Sequence, residues 1–227
     1  VTGKQTMAPS IDTARFNMIE QQIRPWDVTD DRVLGTMLDI PREPFVPEAY
    51  RGLAYADAGI PLAHQETMLE PKLVARLLQA LQVQPGERVL EIGTGSGYVT
   101  ACLARLGGRV LSLDLHEDLV DQARDRLAQL NIRNAELRAG DGLAGPLEGA
   151  PFDVIAVTGS LPDEATLEGL KAQLGHAGRL FAIVGEAPVM EAVLVTRIDP
   201  NHFRRVSLFE TSVAPLTNAP EPEHFVF

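Results

Sequence analysis

The sequence predicts an α/β protein built on a mostly parallel, doubly wound sheet, with an antiparallel hairpin at its C-terminal edge and a helical extension at the N-terminus. Three observations carry this. From residue 72 onward, short apolar runs alternate with stripes of helical period, separated by Gly and Pro breaks. One run, Arg88–Ile92, leads straight into Gly93-Thr-Gly-Ser-Gly97 and then a helical stripe. The last two runs, 192–198 and 203–213, are joined only by Asp199-Pro-Asn201 and so read as a hairpin.

The elements follow in order. Residues 1–10 are polar and read as a disordered terminus, with Met7 a candidate natural start. Phe16, Ile19 and Ile23 recur at helical spacing, and Pro25 closes that segment. Thr29 or Asp30 is placed to cap a second helix whose Val33, Leu34, Met37 and Leu38 share a face. Three prolines in 41–47 predict a rigid, extended turn. Residues 51–71 show no sustained period and read as a long functional loop.

Leu73, Val74, Leu77, Leu78 and Leu81 form a helix stripe broken by Pro85-Gly86. After the strand at 88–92, Val99, Cys102, Leu103 and Leu106 mark the next helix, then Val110–Leu113 a second strand. Leu119, Val120, Ala123, Leu127 and Leu130 stripe another helix. Strands follow at 135–138 and 153–157, a helix through Leu167, Leu170 and Leu174, and a fifth strand at 179–184.

Composition mostly excludes. The chain has 227 residues, 45% hydrophobic and 22% charged, which argues against wholesale disorder. No apolar run approaches the roughly 20 residues of a membrane span, so no membrane partner is expected. The one cysteine, Cys102, forms no intrachain disulfide and no multi-cysteine zinc site; no metal is expected, and the default compartment is cytoplasmic. Twenty Lys and Arg against 31 Asp and Glu give a net charge of −11, which repels a phosphate backbone and disfavours nucleic acid.

The chemistry gathers at the carboxyl ends of consecutive strands, where open α/β sheets bind ligands. Gly93, Thr94, Gly95 and Gly97 form a turn that admits a ligand close to the backbone; alone, this spacing is also compatible with a plain strand-to-helix turn. Glu91 sits in an otherwise apolar strand and suits a cationic ligand, such as the amino-acid end of S-adenosylmethionine, directly or through water. Asp114, followed by Leu115, ends the second strand, placed either to accept from ribose hydroxyls or to cap the next helix. Asp141 and Gly142 follow the third strand, where the acid can accept from an adenine amino group or simply make a turn. Together the three acids favour S-adenosylmethionine over a nicotinamide dinucleotide.

Over nearly its whole length the chain resembles the protein-L-isoaspartate O-methyltransferases. The residues that carry this are Met18-Ile-Glu-Gln-Gln-Ile23, Ile40-Pro-Arg-Glu-Pro-Phe-Val-Pro47, Leu53-Ala-Tyr-Ala-Asp57, Val89-Leu-Glu-Ile-Gly-Thr-Gly-Ser-Gly-Tyr98, Ala139-Gly-Asp-Gly142, Phe152-Asp-Val-Ile-Ala-Val-Thr158 and Val213-Ala-Pro-Leu-Thr217. The resemblance implies a Rossmann-like methyltransferase fold, S-adenosyl-L-methionine as cofactor, S-adenosyl-L-homocysteine as product, and isoaspartyl carboxylates of damaged proteins as acceptors. It divides the chain into a disordered 1–10, a helical extension with substrate loop at 11–71, a cofactor domain at 72–217 and a tail at 218–227. The family's loop usually reads Gly-Gln-Thr-Ile-Ser-Gln-Pro, its serine being assigned to the active site. Here the stretch is Gln65-Glu-Thr-Met-Leu-Glu-Pro71, with Leu69 at the serine position and Glu66 and Glu70 replacing glutamines. Thr67 and Thr158, with Ser160, are the candidate hydroxyls for holding the acceptor; His64 reads as a surface residue. A less anionic small-molecule acceptor, and a cofactor-binding protein without turnover, are the alternatives.

Overall fold

The computed structural model describes residues 10–220; the expectations for 1–9 and 221–227 lie outside the described residues. Ser10, expected to be disordered, instead caps α1 (Ile11–Met18), its hydroxyl accepting from Thr13 N at 3.2 Å. The chain continues through a π turn at Ile19–Ile23 and a 3-10 turn at Arg24–Trp26. The π turn holds more residues per turn, so the buried face becomes Met18, Ile19 and Ile23 and leaves Phe16 57% exposed, off the expected stripe. Of the two cap candidates it is Asp30 that starts α2 (Asp31–Asp39), accepting from Arg32 N and Val33 N. Val33, Leu34 and Met37 are buried there, whereas Leu38 faces solvent.

The proline block is a turn, as expected, but extended only at its ends, Ile40 and Val46–Pro47. Glu43–Phe45 makes a 3-10 turn, since proline's fixed φ suits a turn's first residues, and it drives Phe45 into the core. The stretch expected as a loop at 51–71 also carries structure. A 3-10 run covers Glu48–Leu53, and β1 (Ile60–Pro61) pairs antiparallel with β2 (Thr67–Met68), Ile60 opposite Met68. Two-residue strands are too short to show a period, which hid them. α3 (Pro71–Leu81) starts on Pro71, where a missing N–H costs nothing.

The alternating half folds as expected: β3 (Arg88–Ile92), α4 (Tyr98–Arg105), β4 (Arg109–Asp114), α5 (Glu117–Gln129), β5 (Ala135–Ala139), β6 (Phe152–Leu161), α6 (Glu164–Lys171), β7 (Leu174–Val184), β8 (Met190–Arg197) and β9 (Phe203–Thr211). The sheet order is β5-β4-β3-β6-β7-β8-β9; the β7–β8 and β8–β9 pairings are antiparallel and the others parallel, so β8 alone runs against the rest. Two boundaries move. β6 extends to Leu161, so Thr158 and Ser160 lie within it rather than after it. Leu174 belongs to β7, not to the preceding helix, and Gly178 lets that strand approach Phe152, whose carbonyl would lie 3.1 Å from an added Cβ.

One core cluster joins the N-terminal extension to a sheet face, uniting Met18, Ile23, Met37 and Phe45 with Val89, Val110 and Val154. The other face packs Leu90, Ile155 and Leu180 against Leu167 and Leu170 of α6. Strand order reverses between β3 and β6, and a crevice opens above that point.

Candidate functional site

Gly93, Gly95 and Gly97 all have positive φ, which lets the chain leave β3 and enter α4 within a few residues. A Cβ on Gly93 would overlap Thr158 Oγ1 of β6, and one on Gly97 would lie 2.8 Å from Ala123 Cβ of α5. Gly97 thus serves helix packing behind the turn, whereas Gly93, Thr94 and Gly95 line the crevice. Thr158 lines it too, but its single hydroxyl proton points to the Gly93 carbonyl at 2.6 Å, with Ile92 O at 3.0 Å. It braces the turn.

The three acids differ sharply. Asp114, 8% exposed, accepts from Gly95 N at 2.7 Å and from His116 N at 3.0 Å. The N-cap of α5 is His116, so Asp114 does not cap that helix; it fixes the glycine turn against β4 and keeps lone pairs facing the crevice. Asp141 accepts from Leu143 N at 2.8 Å and from Asn218 Nδ2 at 3.3 Å. Glu91 corrects the expectation of direct ligand contact. It is fully buried beneath the turn and does not line the crevice, because its place in β3 points it toward α4. Thr100 Oγ1 at 2.5 Å and Ser112 Oγ at 2.6 Å donate to its Oε2, while Oε1 has no partner among the described residues. Burial pushes its carboxyl up to about 8 despite the two hydroxyls, with the Asp114 charge adding to the rise.

The crevice has two halves. The larger, about 220 Å³, is bounded by residues 66–70, the glycine turn, Thr158 and the segment 211–216. The smaller is lined by Ile92, Leu115, Asp141, Gly142, Leu143 and Asn218. Glu66, Gly93, Asp114 and Leu216 border both. Gly142 is required there, since a Cβ would lie 2.7 Å from Ile92 Cγ2.

In the loop, Leu69 is buried, and Thr67 lines the larger half with its hydroxyl unengaged. Both added acids have partners. Glu66 accepts from Thr217 Oγ1 at 2.7 Å and lies 3.6 Å from His116 Nε2; Glu70 lies 3.2 Å from Lys72 Nζ, which also holds Asp57. His64 is not idle: its Nε2 meets Asp118 Oδ1 at 2.8 Å and its ring stacks on His116 with centroids 4.0 Å apart. That contact pulls the Asp118 carboxyl, on the exposed start of α5, below its usual range. Ser160 is 1% exposed and outside the crevice; its Oγ donates to Val213 O and its backbone pairs with Ala214 and Leu216. It anchors the C-terminal segment, because the extension of β6 turns it away from the ligand side. Cys102 is buried, and burial pushes its thiol up to about 12. Sequence reasoning missed Leu62, Tyr98, Ser212 and Leu216, which also line the larger half; the Ala-Pro-Leu-Thr segment at 214–217 was the available signal for the last.

Comparison with known proteins gives the same picture. The family model of protein-L-isoaspartate(D-aspartate) O-methyltransferases matches residues 14–220. Protein-L-isoaspartate O-methyltransferase 1 of Rhodopseudomonas palustris (strain HaA2) is 40% identical over 223 residues, covering 95% of this chain and 90% of that protein. A protein of that name from Methanoculleus marisnigri is 39% identical over 183 residues, covering 81% of this chain and 82% of that protein. A solved protein-L-isoaspartate O-methyltransferase superposes with a TM-score of 0.75 at 27% identity, over 90% of this chain and 65% of its own. A Plasmodium falciparum structure so described, in complex with S-adenosyl-L-homocysteine, shares the fold with a TM-score of 0.77 at 23% identity, over 92% and 99%. A family match across residues 14–220 and 40% identity to a curated member over 95% of this chain show that it belongs to the protein-L-isoaspartate(D-aspartate) O-methyltransferase family.

Proposed function

We propose that this protein is an S-adenosylmethionine-dependent O-methyltransferase that esterifies the carboxylate of isoaspartyl residues in damaged proteins. The observation that carries the reading is the two-part crevice, acid-lined and apolar on one side, hydroxyl-lined on the other, joined at Gly93 and Asp114.

The residues fit the cofactor. Asp114 has lone pairs left for ribose hydroxyls, and Asp141 stands beside an apolar slot formed by Ile92, Leu115 and Leu143 that suits an adenine ring. Backbone at Gly93–Gly95 is open to close approach. With its carboxyl pushed up to about 8, Glu91 presents a neutral, unpartnered Oε1 on the buried side of the turn, which a bridging water can link to the cofactor's amino group. Bound there, S-adenosylmethionine supplies a methyl group activated by a sulfonium.

An isoaspartyl carboxylate is already ionised at neutral pH, so the chain has no proton to remove; its task is alignment. Thr67 and Ser212 both line the larger half and keep their hydroxyls free of hydrogen bonds among the described residues, which supports them as donors to the acceptor. Thr158 supports the site from behind by bracing Gly93. Lys72 offsets part of the charge that Glu70 brings, and the Thr217 hydroxyl ties down the Glu66 carboxylate without neutralising it, so the loop keeps a negative charge that the acceptor carboxylate must avoid.

Incubation with methyl-labelled S-adenosylmethionine and an isoaspartyl peptide, beside its aspartyl twin, tests the proposal. Base-labile methyl ester on the isoaspartyl peptide alone is the expected result. Tight cofactor binding with no label on either peptide defeats the repair reading.

A further inference from the structure

Arg42 is 0% exposed, yet among the described residues no carboxylate pairs with it, and its guanidinium makes one hydrogen bond, from Nη2 to the Leu69 carbonyl at 2.6 Å. Nε and Nη1 are buried without partners among the described residues, as is the hydroxyl of Tyr98, whose ring lies 4.8 Å beneath the guanidinium carbon. Burial pulls the Arg42 pKa down, and the neighbouring Tyr98 and Cys102 only partly offset this. A buried guanidinium is costly, so the contacts it does make identify what it is for.

Those contacts join two walls of the larger half of the crevice. Leu69 belongs to the acceptor loop and Tyr98 opens α4 immediately after the glycine turn; both line the crevice. The loop is held before this point by the β1–β2 pairing and after it by the first turn of α3. Between them, at residue 69, the hydrogen bond to Arg42 is the polar tie. In this chain Leu69 brings no side-chain hydroxyl; its side chain packs in the core, and its polar anchoring there runs through the backbone.

We propose that Arg42 is a positioning residue: by binding the Leu69 carbonyl and stacking on Tyr98, it sets the distance between the acceptor loop and the glycine turn. This rests on the methyltransferase reading for its kinetic consequence but not for its structural one. Arg42→Met keeps the bulk and removes the donor; Arg42→Lys keeps one donor able to reach the carbonyl.

Hydrogen–deuterium exchange and steady-state kinetics on the full chain test this. In folded Arg42→Met, exchange across 67–70 rises about ten-fold, the worth of one hydrogen bond to a charged group. Exchange in α5 and the affinity for S-adenosylhomocysteine stay within about two-fold. The KM for an isoaspartyl peptide rises about ten-fold while the KM for S-adenosylmethionine does not, and Arg42→Lys recovers much of the loss. Wild-type exchange at 67–70 in folded Arg42→Met overturns the proposal whether or not any peptide is methylated. If Arg42→Met does not fold, Arg42→Lys carries the test, since its single donor leaves exchange at 67–70 near wild type; a loop as mobile as one with no tie overturns it. A wild-type enzyme that methylates no peptide counts against the function proposed above and leaves the exchange result intact.

Discussion

Glu91 holds its proton in the folded state up to about 8, against 4.5 in an open chain, because burial outweighs the Thr100 and Ser112 hydrogen bonds. Between these values the folded protein binds more protons than the unfolded one. Its contribution to stability is therefore full below about 4.5 and lost as pH rises through 8. Glu91→Gln, which keeps an acceptor for both hydroxyls and never ionises, should gain on the wild type by a few kcal/mol as pH climbs through that window. Denaturant midpoints of the two proteins near the two ends of the window measure it; a constant gap would show that the carboxyl stays ionised throughout. The residue type was visible in the sequence, and so was its oddity in an apolar strand. Its direction was not: a five-residue strand buried on both faces has no alternation to tell which side a polar residue takes. Asp114 and Asp141 were easier to place, because the ends of parallel strands converge on one crevice whatever the side-chain parity.

The β3–α4 connection shows how one element sets the shape of the crevice. Gly86 and Gly93 both have positive φ, but an added Cβ meets nothing within 4 Å at Gly86 and overlaps Thr158 Oγ1 at Gly93. Gly86→Ala should then cost only about 1–2 kcal/mol of left-handed strain and leave cofactor binding unchanged. Gly93→Ala must also push β6 from the turn, and should cost more stability and abolish S-adenosylhomocysteine binding. Thermal melts with and without that ligand separate the two; equal losses would deny Thr158 its bracing role. Long periodic elements such as α3 and α5 were legible to within a residue or two. The π turn, the β1–β2 pair and the added length of β6 and β7 were not, since each depends on contacts distant in sequence. The N-terminal extension shares a core with the sheet through Phe45, Met37 and Val89, a contact that no periodicity in the sequence reveals.

At the scale of the molecule, the net charge of −11 is spread unevenly in consequence. Part of it is structural, Asp114 holding the glycine turn and Asp141 its own turn at Leu143, and part lies in the loop, where Lys72, His116 and Thr217 engage it. Glu66 borders both halves of the crevice while its carboxylate holds Thr217 of the C-terminal segment. If the smaller half holds the nucleoside and the loop the peptide, as proposed, a seated peptide would lie against Glu66, whose carboxylate holds Thr217 beside the smaller half, and the nucleoside would enter first and leave last. Turnover should follow a compulsory order, with S-adenosylhomocysteine competing only against S-adenosylmethionine and the methyl ester competing with neither substrate; an ester that competes with the unmethylated peptide would mean that the two enter independently.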